Sequence, residues 1–189
     1  MPSLFSHPAV PFAIISAVGT RSVSIRLFLA GVIFAILPDA DVIGFRFGIP
    51  YDHLLGHRGF FHSPIFAGIA SLISALAYRP LRSTYWTAFA VLFLSMIMHG
   101  ILDAATNGGL GIAFLSPFSN QRYFFPWQPI AVSPFGLKSF LSSRGFMIIQ
   151  SELKWVWVPF LTFGFIGFLI RHTKLSNKSL KRTPQSGAA

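Results

Sequence analysis

The sequence contains no cysteine and little charge. Of its 189 residues, 11% are charged and only five are Asp or Glu. The absence of cysteine excludes disulfides, thiolate metal sites and cysteine nucleophiles, so any metal ion has to be held by His and carboxylate side chains. A soluble domain carries about 25% charged residues, so the scarcity of charge argues against an ordinary soluble fold.

Apolar residues, by contrast, are abundant. They make up 53% of the chain, with 22 Phe among them, and the mean hydropathy is +0.62. This composition excludes a disordered chain and favours a membrane protein. In a soluble protein, the net charge of +10 would indicate nucleic-acid binding. Here the basic residues lie mainly between apolar runs and near the C-terminus, where they orient a membrane protein, so we expect no nucleic-acid partner.

Five apolar runs approach the length of about 20 residues that a membrane-spanning helix needs. They cover residues 8–20, 23–37, 60–78, 84–102 and 154–170. We therefore predict an all-α polytopic membrane helix bundle with about five hydrophobic helices. The first two runs are short enough to form a buried helical hairpin instead. Residues 1–172 would form the membrane domain, residues 173–189 a basic disordered tail, and residues 104–153 an interfacial loop with short helices.

The basic residues are unequally distributed between the two sides of this bundle. One side has nine: Arg21, Arg26, Arg79, Arg82, Arg171, Lys174, Lys178, Lys181 and Arg182. The other side has six: Arg46, Arg58, Arg122, Lys138, Arg144 and Lys154. Because basic loops stay in the cytoplasm, this bias predicts an external N-terminus and a cytoplasmic C-terminal tail.

Most of the acids and histidines occur within one third of the chain. Between residues 39 and 103 lie Asp39, Asp41, Asp52, Asp103, His53, His57, His62 and His99. Ionisable groups at membrane depth cost roughly 2.5–3.5 kcal/mol each and are usually functional. Alternating helix directions bring the motifs that carry them to one membrane face, opposite the short basic loops. We therefore predict one site on the extracytoplasmic face.

Two of the motifs contain carboxylates. In HGILD, His99 and Asp103 are four residues apart and share a helix face, where both could bind one metal ion. The alternative is that Asp103 only orients His99. In PDAD, Asp39 and Asp41 repel each other unless a cation or a proton accompanies them. The alternative there is a turn or a helix cap.

The third motif, GHRGFFHS, is rich in imidazole. We predict His57 and His62 as metal ligands. The planar guanidinium of Arg58 could bind an anionic substrate oxygen, or it could pair with Asp52 or contact lipid headgroups. Ser63 is expected to cap the third helix rather than act as a nucleophile.

Other polar residues are weaker candidates. His7 is a possible additional ligand because the topology brings it to the same face. Thr106 and Asn107 are either outer donors or turn residues. Glu152, the only Glu, is expected to cap a helix or pair with a lysine rather than serve as a base. His172 lies with the basic tail and is excluded.

Imidazoles and carboxylates without thiolate suit zinc or another divalent transition metal, with one or two ions in the site. Such sites lower the pKa of bound water to about 7, so hydrolysis of a phosphoester, amide or ester is the expected chemistry. Asp41 or Asp103 would be the base that takes a proton from that water, and Arg58 would hold the substrate. The predicted ligands are His7, Asp39, Asp41, His57, His62, His99 and Asp103.

The motifs PDAD, GHRGFFHS and HGILDAATNGG, in this order, resemble the LexA-regulated, membrane-bound, metal-dependent hydrolases of bacterial inner membranes. The resemblance covers about residues 5–130, and its most specific part is the HRGxxHS element. It extends to His7 near the start of the first helix and to Thr106 after the last motif. Val42 departs from the pattern, because many members have His there. Either His53 compensates for this residue or the site holds fewer ions.

The resemblance implies an inner-membrane protein with a helical metal site, distantly similar to the sites of zinc-dependent phospholipases C and single-strand nucleases. A site at headgroup level would act on a phosphoester or other ester of a membrane lipid or lipid-like substrate. Two alternatives remain open. One is a non-catalytic membrane protein with a structural metal ion. The other is an ion or proton transporter in which these ionisable groups line a path.

Overall fold

A computed structural model describes residues 1–133 and 142–180, and for residues 175–180 it describes only the backbone. Its helices are α1 (Ala9–Val18), α2 (Ile25–Ile36), α3 (Pro64–Ser74), α4 (Tyr85–Ala104), α5 (Ser143–Glu152) and α6 (Val158–Leu180). A 3₁₀ segment (Leu37–Phe47) continues α2, and short 3₁₀ turns flank α3 at Phe60–His62 and Ala75–Ala77. A π-helical turn (Leu153–Trp157) joins α5 to α6 in one continuous helix.

Three helical units are long and apolar enough to cross a membrane. They are Ile25–Phe47, Tyr85–Ala104 and Ser143–Lys174, while Ala9–Val18 and Pro64–Ala77 are shorter apolar helices. Within the described ranges there is no strand, only two isolated β-bridges, Thr106 to Ile130 and Ile112 to Tyr123. The predicted all-α membrane fold with five helical units is confirmed.

Small residues allow a close helix contact between α1 and α6. A Cβ atom at Gly167 would lie 2.5 Å from the Cβ of Ala17, and one at Gly164 would lie 3.1 Å from the backbone oxygen of Ala13. Small residues let membrane helices approach in this way. A second interface joins α2 to α4 through an apolar cluster that includes Leu27, Ala88 and Leu92.

The starts of α2, α3 and α4 follow the local capping rules. Ser24, Ser63 and Thr84 each accept a hydrogen bond from the backbone N–H three residues later, at 3.1, 3.1 and 3.2 Å. Such caps satisfy N–H groups that have no partner within the helix. The predicted capping role of Ser63 is therefore confirmed.

The helix boundaries differ from the predictions in two places. Helix two was predicted to end at Pro38, but the chain continues as a 3₁₀ segment to Phe47. Proline is tolerated there because it lies in the first turn of the new segment, where its missing N–H is not needed. The last helix begins at Ser143 rather than near residue 154, so part of the predicted loop is helical, whereas residues 105–133 are irregular.

The predicted disordered tail falls partly outside the described residues. Helix α6 continues to Leu180, so residues 173–180 are helical. Residues 181–189 and Lys138 lie outside the described ranges.

Candidate metal centre

All seven residues that were predicted as metal ligands lie together at one end of the bundle. His7 precedes α1, Asp39 and Asp41 follow α2, His57 and His62 precede α3, and His99 and Asp103 end α4. Each is buried, and none is more than 8% exposed. The antiparallel helices therefore gather the three motifs into one cluster.

Four of these side chains form a compact inner group: Asp39, His62, His99 and Asp103. Asp39 Oδ1 lies 3.6 Å from His62 Nε2 and 3.4 Å from His99 Nε2. Asp103 Oδ2 lies 3.7 and 3.9 Å from the same two nitrogens, which are 3.1 Å apart. The ligand atoms of a tetrahedral zinc site are about 3.3–3.4 Å apart, given bonds of about 2.0–2.1 Å. The inner group therefore has the size of a single-ion site.

His7 completes the inner group from the N-terminal side. Its Nε2 lies 3.9 Å from Asp39 Oδ2 and 3.9 Å from Asp103 Oδ1. Its ring stacks on that of His99 with centroids 3.8 Å apart. His7 is thus placed to serve as a fifth ligand.

Several atoms of the inner group make no well-aligned hydrogen bond within the described part of the chain. They are both oxygens of Asp39, both oxygens of Asp103 and both ring nitrogens of His7. Buried polar atoms normally have a hydrogen-bond partner or an ion. Unpaired atoms of this kind, converging at ligand spacing, are what a divalent cation would satisfy.

Asp41 lies behind His62 rather than in the inner group. Its carboxylate is 3.2 Å from His62 Nδ1 and accepts a 2.7 Å hydrogen bond from His57 Nδ1 and a 3.2 Å bond from the backbone N–H of Arg58. A carboxylate on the outer nitrogen of a ligand histidine fixes its tautomer and increases its basicity. Asp41, His57 and His62 nevertheless form a second group with metal-ligand spacing.

His99 is oriented in a similar way by the backbone. Its Nδ1 is 2.7 Å from the carbonyl oxygen of Ala35 at the end of α2. A carbonyl only accepts, so Nδ1 carries the proton, and the lone pair of Nε2 faces the centre of the inner group. Helix packing therefore selects the tautomer that a metal ligand needs.

Arg58 is fully buried, and its donors are directed to the protein. Its Nε lies 3.2 Å from Asp103 Oδ2, Nη1 donates to the Gly108 carbonyl at 2.7 Å, and Nη2 donates to Thr106 Oγ1 at 3.0 Å. Thr106 in turn donates to the carbonyl of Asp103 at 2.7 Å. Arg58 pairs with Asp103 rather than with Asp52, and Thr106 belongs to the outer layer of the site.

Backbone geometry supports this guanidinium. Arg58 itself has φ of +64°, a conformation that is uncommon for a side chain other than glycine. Gly109, with φ of +93°, lies beside it, and a Cβ atom there would be 2.6 Å from Arg58 Nη1 and 2.9 Å from Tyr51 Oη. The glycine therefore leaves room for the buried arginine.

The surroundings change the proton affinities of two imidazoles. Burial by itself would lower the pKa of His62, but the nearby carboxylates of Asp39, Asp41 and Asp103 outweigh it and raise this pKa to about 9. Burial of the imidazole lowers the pKa of His7 to about 3. At neutral pH, His62 therefore holds a proton that a metal ion would have to displace.

Other predicted residues lie outside the cluster. His53 is exposed, and its Nδ1 accepts a 3.1 Å hydrogen bond from the Leu55 N–H, so it does not compensate for Val42. Asp52 and His172 are exposed. Asn107 is a turn residue whose Oδ1 accepts from Val132 N–H at 2.9 Å.

Two supporting residues were not predicted in their observed roles. Glu152 is buried and accepts hydrogen bonds from Ser3 N, Ser3 Oγ (2.6 Å) and Ser6 Oγ (2.7 Å), which holds the segment before His7. Arg122 donates to the carbonyls of Tyr51, His53 and His57 at 3.0, 3.0 and 2.7 Å and so fixes the loop before the HRG motif. Glu152 is recognisable in the sequence as the only Glu, but its partners Ser3 and Ser6 lie far away in the sequence.

The comparison with known proteins agrees with a membrane fold. A family model described as YdjM inner membrane protein matches residues 1–175. The chain belongs to this family of inner membrane proteins. Inner membrane protein YbcI of Escherichia coli (strain K12) is 42% identical over 160 residues, which are 84% of this chain and 92% of that protein. No solved structure matches the chain.

The YdjM match includes every member of the cluster, from His7 to Asp103, and both supporting residues. It supports the predicted inner-membrane localisation. The arrangement of the cluster can hold a cation, orient two imidazoles and pair a carboxylate with a buried guanidinium.

Proposed function

We propose that the protein is a membrane-bound metal-dependent hydrolase that acts on a phosphoester or other ester of a lipid-like substrate. One observation carries this proposal: the ligand atoms of Asp39, His62, His99 and Asp103 lie within 4.8 Å of one another at one buried end of the bundle, and His7 Nε2 lies 3.9 Å from both carboxylates. Imidazole with carboxylate is the ligand set of zinc and related divalent metals. When bound, such an ion activates water and polarises the oxygen of an ester.

The residues of the chain have separate roles in this proposal. The inner group would hold the ion, and Asp41 holds His62 through its outer nitrogen. Arg58 positions Asp103 and neutralises part of its charge, since its Nε faces the Asp103 carboxylate while Nη1 and Nη2 donate to Gly108 and Thr106. This assignment makes Arg58 a positioning residue rather than the anchor of the substrate.

The environment of each carboxylate favours Asp41 over Asp103 as the base. Asp103 is paired with the guanidinium of Arg58, whereas the Asp41 carboxylate, which is also buried, is paired with the imidazoles of His57 and His62. Asp41 also lines a cavity of about 210 Å³ together with Leu37, Ala40, Phe61 and Phe66. A proton-accepting carboxylate must lie near the reacting group, and of these two residues Asp41 is the one that lines this cavity.

The same cavity supports a lipid-like substrate. Its walls are almost entirely apolar. It lies beside the membrane-spanning unit Ile25–Phe47. An apolar cavity at the side of a membrane helix suits a substrate that enters from the bilayer with an apolar chain next to its ester.

The test begins with the metal content of detergent-purified protein. We expect close to one zinc, manganese or iron per chain in the parent, and a loss of the metal in His99→Ala and His62→Ala. The matched control His53→Ala removes an exposed imidazole and should keep the metal. Parent protein that stays folded but binds no metal after divalent ions are supplied would refute the metal centre.

The second step tests the reaction on the metal-loaded protein. Phosphodiester, phosphomonoester and carboxylester lipids would be offered in mixed micelles, and Asp41→Asn should abolish turnover while retaining at least part of the metal. Turnover of a water-soluble ester at the same rate as its lipid counterpart would overturn the lipid-like substrate but not the hydrolase.

A structural metal is the second candidate, and the near-complete burial of the cluster favours it, because structural sites are closed to ligands. It predicts that chelation unfolds the protein and that no ester is hydrolysed. A transport path is less well supported, because the buried ionisable side chains of the described residues all lie at one end of the bundle.

Further parts of the proposal concern orientation and regulation. We place the site on the extracytoplasmic face and the C-terminal tail in the cytoplasm, which reporter fusions at residue 189 would test. The family resemblance implies control of the gene by LexA and a distant similarity to zinc-dependent phospholipases C. Binding of purified LexA to the promoter tests the first of these.

A further inference from the structure

A second cavity lies at the opposite end of the bundle from the metal centre. It has a volume of about 520 Å³ and lies between the C-terminal end of α1 and the last helix. Its walls combine apolar side chains, among them Leu161, Phe165 and Phe168, with the polar groups of Ser16, Thr20 and Arg171. This volume is within the range of about 300–1,000 Å³ that is typical of ligand sites.

Arg171 is held at a defined position in this cavity. Its Nη1 donates to the carbonyl of Ala17 at 3.2 Å, and its guanidinium lies 5.4 Å from the ring centroid of Phe168. Gly19, with φ of +82°, makes the approach possible, because a Cβ atom there would be 2.2 Å from Nη1. A guanidinium has five N–H donors, so most of them remain for a ligand.

No Asp or Glu side chain of this chain neutralises Arg171. The sequence has five acids, and all of them lie at the end of the metal centre: Asp39, Asp41 and Asp103 in the cluster, Asp52 in the loop that Arg122 fixes, and Glu152 on Ser3 and Ser6. The end that carries Arg171 also carries Arg21, Arg26, Arg79 and Arg82. This end therefore carries several arginines and no Asp or Glu side chain as a counter-charge.

We propose that this cavity binds an anionic phospholipid of the surrounding bilayer, with its phosphate on Arg171 and an acyl chain along Leu161 and Phe165. Arg171 lies in the last part of the span Ser143–Lys174, where helix and headgroup region meet. Leu161 and Phe165 are exposed at 49% and 59% on the surface of that span. A zwitterionic headgroup is disfavoured, because this end has no Asp or Glu side chain to receive its ammonium group. This inference does not depend on the proposed hydrolase.

The test compares lipid binding by the purified full-length protein in native mass spectrometry. Phosphatidylglycerol, phosphatidylcholine and inorganic phosphate would be offered to the parent, to Arg171→Gln and to the matched control Lys174→Gln, which removes an exposed charge three residues away. We expect one phosphatidylglycerol to be retained by the parent and the control. Arg171→Gln should bind it about 10- to 100-fold more weakly, which corresponds to the loss of a charged hydrogen bond.

Several results would overturn the inference. Equal retention of phosphatidylcholine would do so, as would equal weakening in both variants, which indicates general electrostatics. Inorganic phosphate that competes at similar concentration would show a phosphate site and not a lipid site. If Arg171→Gln does not fold, Arg171→Lys keeps the charge without the planar fork and should weaken phosphatidylglycerol binding less. Unchanged binding in a folded variant of either kind refutes the proposal.

Discussion

Replacement of Arg58 by Met tests whether this buried cation positions the metal centre. Met approximates the aliphatic part of the side chain but removes the contact to Asp103 Oδ2 at 3.2 Å and the hydrogen bonds to Gly108 and Thr106. Removal of one partner from a buried ion pair costs about 3–5 kcal/mol, because the remaining charge is left uncompensated. We expect the metal-free protein to lose about that much free energy of unfolding.

The assay is unfolding in mixed detergent micelles, measured by circular dichroism with chelator and with zinc. For a chain of this size, a loss of 3–5 kcal/mol lowers Tm by roughly 6–20 °C. The loss should shrink with zinc, because a bound cation compensates Asp103 in place of the arginine. The control Arg46→Met removes an exposed charge and should change stability by about 1 kcal/mol or less. If both variants unfold alike in chelator, the positioning role of Arg58 is refuted.

Three further predictions concern the same centre. The pKa of His62 is raised to about 9, so its protonation stabilises the metal-free protein below pH 6.5, and this contribution is lost as the pH rises to 9. The pKa of His7 is lowered to about 3, so this residue destabilises the metal-free protein as the pH falls below 6.5. The thermal stability of the metal-free protein should therefore peak near pH 6.5, and zinc should move this peak to higher pH. A stability that does not vary with pH would contradict the pKa shifts of both histidines. Asp41→Asn should weaken zinc binding by about 10- to 100-fold without abolishing it. Competition with a fluorescent chelator measures this affinity, and an unchanged value would exclude the contact of Asp41 with a ligand histidine. Gly109→Ala should destabilise the protein in thermal melts, because Gly109 has a φ of +93° and a Cβ atom there would lie 2.6 Å from the buried guanidinium. The control Gly68→Ala should not, since a Cβ atom at that position meets nothing within 4 Å. Equal melting temperatures of the two variants would refute the steric argument.

The location of the site follows from the sequence because it depends on helix direction alone. His99 and Asp103 lie at the end of one predicted helix and Asp39 at the end of another, so antiparallel packing brings them together. The HRG motif joins them because it precedes the third helix. These relations need only the order of the apolar runs, and small errors in helix boundaries do not change them.

The layering of the site does not follow from the sequence. Nothing in the spacing of PDAD shows that Asp39 faces the inner group while Asp41 lies behind His62, since the 3₁₀ segment beyond Pro38 determines both directions. The partner of Arg58 depends on its φ of +64° and on the room left by Gly109. The contacts of Asp39, Asp41 and Arg58 depend on the tertiary fold rather than on a local sequence pattern.

The contact that holds the segment before His7 also could not be predicted from a local sequence pattern. Glu152 and Ser3 are separated by 149 positions, and their contact requires the first segment to pack against the start of the last long helix. Helix capping or pairing with a neighbouring lysine was the local expectation for Glu152. A short-range interpretation of a lone acid fails where a buried carboxylate finds three donors in a distant segment.

Charge balance within the buried centre determines how many ions it can hold. Asp39, Asp41 and Asp103 contribute −3 and Arg58 contributes +1, so with neutral imidazoles the formal charge is −3 + 1 = −2. One divalent cation brings the sum to zero, whereas two would leave +2 in a site where burial of unbalanced charge is costly. The sequence left one or two ions open, and this balance favours one. Elemental analysis should therefore approach one ion per chain at saturation, and a ratio of two would show that Asp41, His57 and His62 form a second site instead of an outer layer.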